Sequence, residues 1–144
     1  MGKVRFSNPK TLAPPPGYSY VVEATGPGRI IYFAGQLGVD MENKMAGPDF
    51  RTQCRAAFDN MTKALKAAGA SWEDVVKINN FLVNIEQNMA AFREVRDSFL
   101  NRKAPPASTT IGVPALARPG GLFEIEAVAV LGKGKDKPKK KKRR

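Results

Sequence analysis

One segment narrows the fold of this 144-residue chain more than any other. From Leu122 to Leu131 apolar and polar or small residues alternate as Leu-Phe-Glu-Ile-Glu-Ala-Val-Ala-Val-Leu. Residues two apart share one side of a β-strand, so Glu124 and Glu126 project from the same face as Val128 and Val130. Two carboxylates about 7 Å apart on an otherwise apolar strand are costly to bury unless they are paired or solvated. Either they meet Lys or Arg at a subunit edge, or one of them holds and activates water. Spacing alone favours the ion pair.

A long closing strand needs partners, and the rest of the chain supplies them. Residues 1–17 are polar and end in Pro14-Pro15-Pro16-Gly17, an extended lead-in. Tyr18–Ala24 and Arg29–Ala34 are strand-like runs around Gly26-Pro27-Gly28, which predicts a hairpin. Phe50, Cys54, Phe58, Met61, Leu65 and Ala68 recur at helical spacing, predicting a helix over 49–68 with Gly69 as its stop. Ser71-Trp72-Glu73-Asp74 opens like a capping box before a strand over 75–83. A second helix is predicted over 87–100, with Met89, Phe92, Val95 and Phe99 inward and Arg93 and Arg96 on its solvated polar side. Pro105-Pro106 ends it, and Ala107–Val113 forms another strand. The order β-β-α-β-α-β-β predicts an α+β domain with two helices on one sheet. Within it Cys54 and Trp72 are expected to pack in the core, and Asn79 and Asn80 to be satisfied structural amides.

Composition removes many chemistries. There is no histidine and one cysteine. A Ser-His-Asp triad, a Cys-His dyad, a histidine base, a Cys/His zinc site and a disulfide framework within one chain are all excluded. Gly132-Lys133-Gly134-Lys135 lacks the spacing and the Ser/Thr of a phosphate-binding loop. No stretch approaches the roughly 20 apolar residues of a membrane span, and no signal-peptide core is evident. Met1-Gly2 begins like a myristoylation signal, but Phe6 stands where Ser or Thr is needed. A soluble, cytoplasmic protein with no membrane partner is expected.

The net charge of +11 is unevenly spread. Residues 133–144 hold nine Lys/Arg and one Asp, whereas the remainder holds 15 basic and 12 acidic residues. This tail has nothing apolar to bury and is expected to be disordered. Lys139, Lys140, Lys141, Lys142, Arg143 and Arg144 are candidates for nonspecific, salt-dependent contact with nucleic acid. A solubilising appendage explains the same composition equally well. The expected organisation is a lead-in over 1–17, a domain over 18–131 and a basic tail over 132–144.

Taken in order, several short motifs resemble the reactive-intermediate deaminase (Rid) family, also called YjgF or endoribonuclease L-PSP-like. They are Tyr18-Ser19, Ala34-Gly35-Gln36, Gln53 with Asp59-Asn60, and Ala67-Ala68-Gly69 leading to Asp74-Val75-Val76-Lys77. Pro106-Ala107-Ser108-Thr109 and Glu124-Ile125-Glu126-Ala127 complete the set, and the likeness runs from about Tyr18 to Leu131. It implies a chorismate-mutase-like fold, a mixed sheet with two helices on one face, and a homotrimer with a central barrel and clefts between subunits. It also implies hydrolysis of small enamines and imines, such as 2-aminoacrylate, to 2-keto acids and ammonia, with no metal or cofactor.

By the same resemblance, Glu124 places water and Tyr18 stands at the cleft entrance. Ala34 and Gly35 fill the place of a Ser-Gly pair, and Ser108, Thr109 and Thr110 contact substrate. The departures matter. Family deaminases carry a carboxylate-gripping arginine where this chain has Ser108, and often Cys where it has Thr110. With a one-residue shift, Arg93 takes the place of a helical Asn. Losing a charge-assisted fork costs about 1.5–3 kcal/mol, roughly a tenfold to hundredfold loss of affinity. Arg93 and Arg118 are the candidate replacement cations. The rival readings are a non-catalytic trimer that binds or senses a small metabolite, and an RNA-binding protein acting through the tail.

Overall fold

The first long helix organises the chain. Asp49 caps it, its carboxylate accepting from the Thr52 N–H at 3.0 Å. The helix, α1, runs Phe50–Ala67 and buries Phe50, Gln53, Cys54, Ala57, Phe58, Met61 and Leu65 along one stripe. Gly69, at φ +78°, ends it as the spacing predicts. In this computed structural model, residues 3–26 and 28–132 are described. The basic stretch 133–144, and with it the expectations placed on Lys139 to Arg144, lies outside the described residues.

The elements follow the predicted order with one addition. Lys3–Ser7 form strand β1, within the segment expected to be only a lead-in, ahead of β2 (Val21–Thr25) and β3 (Gly28–Leu37). After α1 come a single 3-10 turn at Trp72–Asp74, β4 (Val75–Leu82), α2 (Ile85–Phe99), β5 (Ala107–Gly112) and β6 (Phe123–Gly132). The box at the 3-10 turn forms, with the Asp74 carboxylate accepting from the Ser71 N–H at 2.9 Å.

The predicted hairpin does not form. β2 pairs with β1, and β3 pairs antiparallel with β6. Length explains the exchange: the ten-residue β3 finds a ten-residue partner in β6, and the five residues of β2 are matched by the five of β1. The main sheet has the order β3-β6-β4-β5, with β4 parallel to β5 and the other pairs antiparallel. It is therefore a mixed sheet, and the class is α+β with two helices.

Both helices cover one face. Phe123, Ile125, Ala127 and Ala129 of β6 point into the core with Phe58, Met61, Phe92 and Val95, and Leu131 is buried further along the strand. Phe58 is the hub, with the rings of Phe99, Trp72 and Phe123 centred 5.1, 5.5 and 5.7 Å away. The Trp72 indole N–H donates to Thr62 Oγ1 at 2.8 Å, so its polar edge is satisfied. No helix among the described residues is long and apolar enough to cross a membrane.

Two predictions follow from this packing. Phe58→Ala should cost about 3–5 kcal/mol, read as a lowered guanidinium midpoint. Cys54 is fully buried and its thiol is pushed up to about 12 by burial. It should therefore stay silent to an aromatic disulfide reagent in the native protein and react at once on denaturation.

Candidate functional site

The face of β6 that turns away from the helices carries both of the strand's carboxylates. Glu124, Glu126, Val128 and Val130 are half-buried there, as the alternation predicts. Register sets Glu124 opposite Leu37 of β3 and Phe81 of β4, and Glu126 opposite Asn79. The two acids then diverge. Glu126 accepts a hydrogen bond from Asn79 Nδ2 at 2.9 Å. Among the described residues Glu124 has no ion pair and no side-chain hydrogen bond. Its carboxyl is held above the ordinary carboxylate range, first by desolvation and then by the Glu126 charge.

Strand β3 makes room for this acid. Its pairing with β6 slips between Phe33 and Gln36, so Ala34 and Gly35 form a bulge. A Cβ on Gly35 would sit 2.0 Å from Glu124 Oε1 and 2.8 Å from its Cδ. A side chain at position 35 would therefore displace the Glu124 carboxylate, and Gly35 and Glu124 share one space. Ala34 is exposed and lines a cleft of about 240 Å³ with Tyr32, Lys77, Asn79 and Glu126 among others.

Side-chain amides fix the ends of these strands. Asn60 Nδ2 donates to the carbonyls of Leu37 and Val39, both at 2.9 Å, and so holds the exit of β3. The buried Gln53 donates to the carbonyls of Gly47 and Gly120 and accepts from the Leu122 N–H at 2.8 Å, just before β6. Both positions belong to the motifs quoted from the sequence, and their work here is to hold backbone rather than to react.

A second group gathers two strands away. β4 separates β6 from β5, which sets Ser108 roughly 10 Å from the line of Glu124. Asn80 is fully buried, and its Nδ2 donates to Ser108 Oγ at 3.1 Å and Thr110 Oγ1 at 3.2 Å. Its Oδ1 is buried without a partner among the described residues. The Nδ2 of Asn79 has its partner in Glu126, whereas the expectation of a satisfied amide fails for Asn80. Thr109 turns to the other face, where Lys77 Nζ donates to its hydroxyl at 3.0 Å. Tyr18 packs edge-on against Tyr20, and the adjacent Ser19 bridges to Ala107 at the start of β5.

The predicted residues thus fall into two half-sites within one chain. Ala34, Gly35 and Glu124 lie at the β3–β6 side, and Tyr18, Ser108 and Thr110 at the β5 edge. The two candidate cations join neither: Arg93 and Arg118 are exposed, and their side chains make no ion pair or hydrogen bond among the described residues. Arg96, assigned to solvent by the sequence, is instead buried at 5% exposure. Phe92, Arg96 and Phe99 lie at i, i+4 and i+7, so a stripe including Arg96 was as regular as the one chosen; polarity hid it. Among the described residues no cluster of His, Cys, Asp and Glu could hold a metal ion.

This arrangement can be compared with known proteins. The family model described as Endoribonuclease L-PSP matches residues 10–131. The chain belongs to the endoribonuclease L-PSP family. Among its relatives is a 2-iminobutanoate/2-iminopropanoate deaminase of Dermatophagoides farinae, 34% identical over 83% of this chain and 91% of that protein. The RutC family protein YjgH of Escherichia coli is 32% identical over 71% of this chain and 76% of that one. A Yersinia pestis protein of the conserved Rid family, of unknown function, superposes with a TM-score of 0.81 at 36% identity, covering 89% of this chain and 98% of that chain. Related proteins named as imine deaminases support that activity at the level of the endoribonuclease L-PSP family.

The raised Glu124 has a thermodynamic signature. A carboxyl whose folded pKa is raised binds its proton more tightly in the native state, so its contribution to stability falls as pH rises past the unfolded carboxylate value. Glu124→Gln should therefore gain thermal stability relative to wild type between pH 4 and 7 and lose that advantage below pH 4. A Tm difference that does not change with pH would contradict it.

Proposed function

We propose that this family member hydrolyses small imines or enamines in the cytoplasm, without a cofactor, in clefts between the subunits of a homotrimer. The observation that carries the reading is Glu124: a half-buried carboxylate with a raised pKa and, among the described residues, no partner, lying in the room that Gly35 makes for it.

The chemistry asks little beyond such a base. Glu124 accepts a proton from water as the oxygen adds to the C=N carbon, and the imine nitrogen takes up a proton. The resulting carbinolamine breaks its C–N bond, releasing ammonia and leaving a carbonyl, so that one water is consumed per ammonia formed. A positioned general base of this kind contributes about 10²–10⁴-fold. A carboxylate whose pKa is raised is a stronger base toward that water than an ordinary one, and the proton it takes up is then passed to the nitrogen.

The trimer is supported by what one chain leaves undone. The sheet face opposite the helices exposes Tyr32 at 77%, Ile30 at 62% and Ile111 at 45%. β5 and β3 form open edges of the main sheet. Packing three such faces together would cover the apolar surface and bring the β5 edge of one subunit towards the β3–β6 side of the next. The two half-sites would then complete each other. The Ser108 and Thr110 hydroxyls, which already accept from Asn80, keep their protons free to donate to substrate. Ser108 stands where the family's arginine is expected, so either the substrate range is altered or another cation grips the carboxylate.

The test is ammonia and carbonyl release from freshly generated imines. Glu124→Ala should lose about 10²–10⁴-fold in rate. Retention of the wild-type rate on every imine would end the mechanism. Tyr32→Glu should dissociate the trimer in sedimentation and abolish turnover with it.

A further inference from the structure

The buried arginine has more donors than partners. A guanidinium carries five N–H groups. Arg96 gives its Nε–H to Asp97 Oδ1 at 3.0 Å and lies over the Phe92 ring, 5.6 Å from its centre. Among the described residues neither Nη nitrogen has a hydrogen-bond partner. Neither is sealed off, because the Asn80 oxygen is the one fully enclosed side-chain atom without a partner there. The Nη groups therefore keep some accessible surface where Arg96 meets open space.

That space is a cleft of about 340 Å³ lined by Pro16, Gly17, Arg96, Leu100, Arg102 and Pro105, with Asp97 beside them. Gly17, at φ +93°, lies directly on the guanidinium: a Cβ there would be 2.5 Å from Nη2. The lead-in thus folds over Arg96 at a residue without a side chain. The exposed Arg102 stands among the lining residues, so two positive charges face one negative. Pro16, Leu100 and Pro105 leave apolar wall for a short carbon chain. The volume is that of a small-ligand pocket.

The cleft also lies beside the β5 half-site. Gly17 is followed by Tyr18 and Ser19. The Ser19 N–H donates to the Pro106 carbonyl at 3.1 Å, and Ser19 bridges to Ala107, next to Ser108. Two residues of chain span at most about 7 Å, so Gly17, on the fork, lies within that reach of Ser19 and the start of β5 beside Ser108.

We propose that Arg96 is the carboxylate grip of this protein, with Arg102 assisting, and that it takes over the task Ser108 cannot perform. This rests on the imine-hydrolase reading for the identity of the substrate, a small 2-imino acid. It does not rest on that reading for the binding itself. The planar Nη pair matches the two oxygens of a carboxylate, and burial strengthens the contact. The apolar walls and the half-neutralised charge suit a monoanion with a short side chain.

The experiment measures binding of 2-oxobutanoate, the keto acid that hydrolysis of a 2-iminobutanoate would leave, by calorimetry on the intact oligomer. Arg96→Gln should weaken Kd about tenfold to hundredfold, and Arg96→Lys should restore only part of it. Arg102→Ala, at an exposed position, should weaken Kd about two- to fivefold and less so at high salt. In kinetics the same variants should raise KM for carboxylate-bearing imines more than they lower kcat.

Failure of wild type to bind the keto acid, or unchanged affinity in Arg96→Gln, overturns the grip. Should Arg96→Gln not fold, unchanged affinity in both Arg96→Lys and Arg102→Ala overturns it. Inorganic phosphate competing at equal concentration overturns its carboxylate selectivity. Binding lost in the variants without any imine turnover in wild type upholds the grip and removes the hydrolase. Turnover with KM unmoved in both variants does the reverse.

Discussion

The structure depends on one strand being two things at once. β6 runs through the main sheet between β3 and β4, and its period of two divides its side chains without remainder. Phe123, Ile125, Ala127, Ala129 and Leu131 serve the core, and Glu124, Glu126, Val128 and Val130 serve the other face. A slip of one residue would bury two carboxylates under the helices and expose five apolar side chains, so the register is strongly specified. Fixing the core therefore also fixes where the acids stand. The aromatic cluster around Phe58 sets the position of Glu124 from the far side of the same strand.

Much of this was legible because it is periodic. The α1 stripe, the Gly69 stop, the Ser71–Asp74 box and the β6 alternation are local patterns, and each forms where the sequence puts it. What was not legible is non-local. The Tyr18–Ala24 and Arg29–Ala34 runs look like a hairpin because they are neighbours in sequence. The ladder nonetheless goes to β6, whose length matches β3. β1 escaped notice because Lys3–Ser7 is mostly polar and exposed, which leaves no burial signature to read.

The site was half legible for the same reason. Glu124 and Glu126 are equivalent by spacing, and only tertiary contacts separate them: Asn79 satisfies one, and Gly35 makes room for the other. Arg93 and Arg96 are likewise equivalent by composition. A helix turns 100° per residue, so the two lie only about 60° apart on neighbouring sides, and what separates them is the lead-in passing over Arg96. Charge argued for solvent in both cases. The backbone passing over Arg96 at Gly17 is a long-range event that no window of sequence reveals.

The shared space at Gly35 and Glu124 has an evolutionary corollary. A side chain gained at position 35 must push the position 124 carboxylate aside, whereas a shortened residue 124 leaves a void that a larger residue at 35 can fill. Descendants of this chain can thus lose the acid and then the glycine without a steric clash, but a lineage that enlarges position 35 first disturbs the acid while it is still in use.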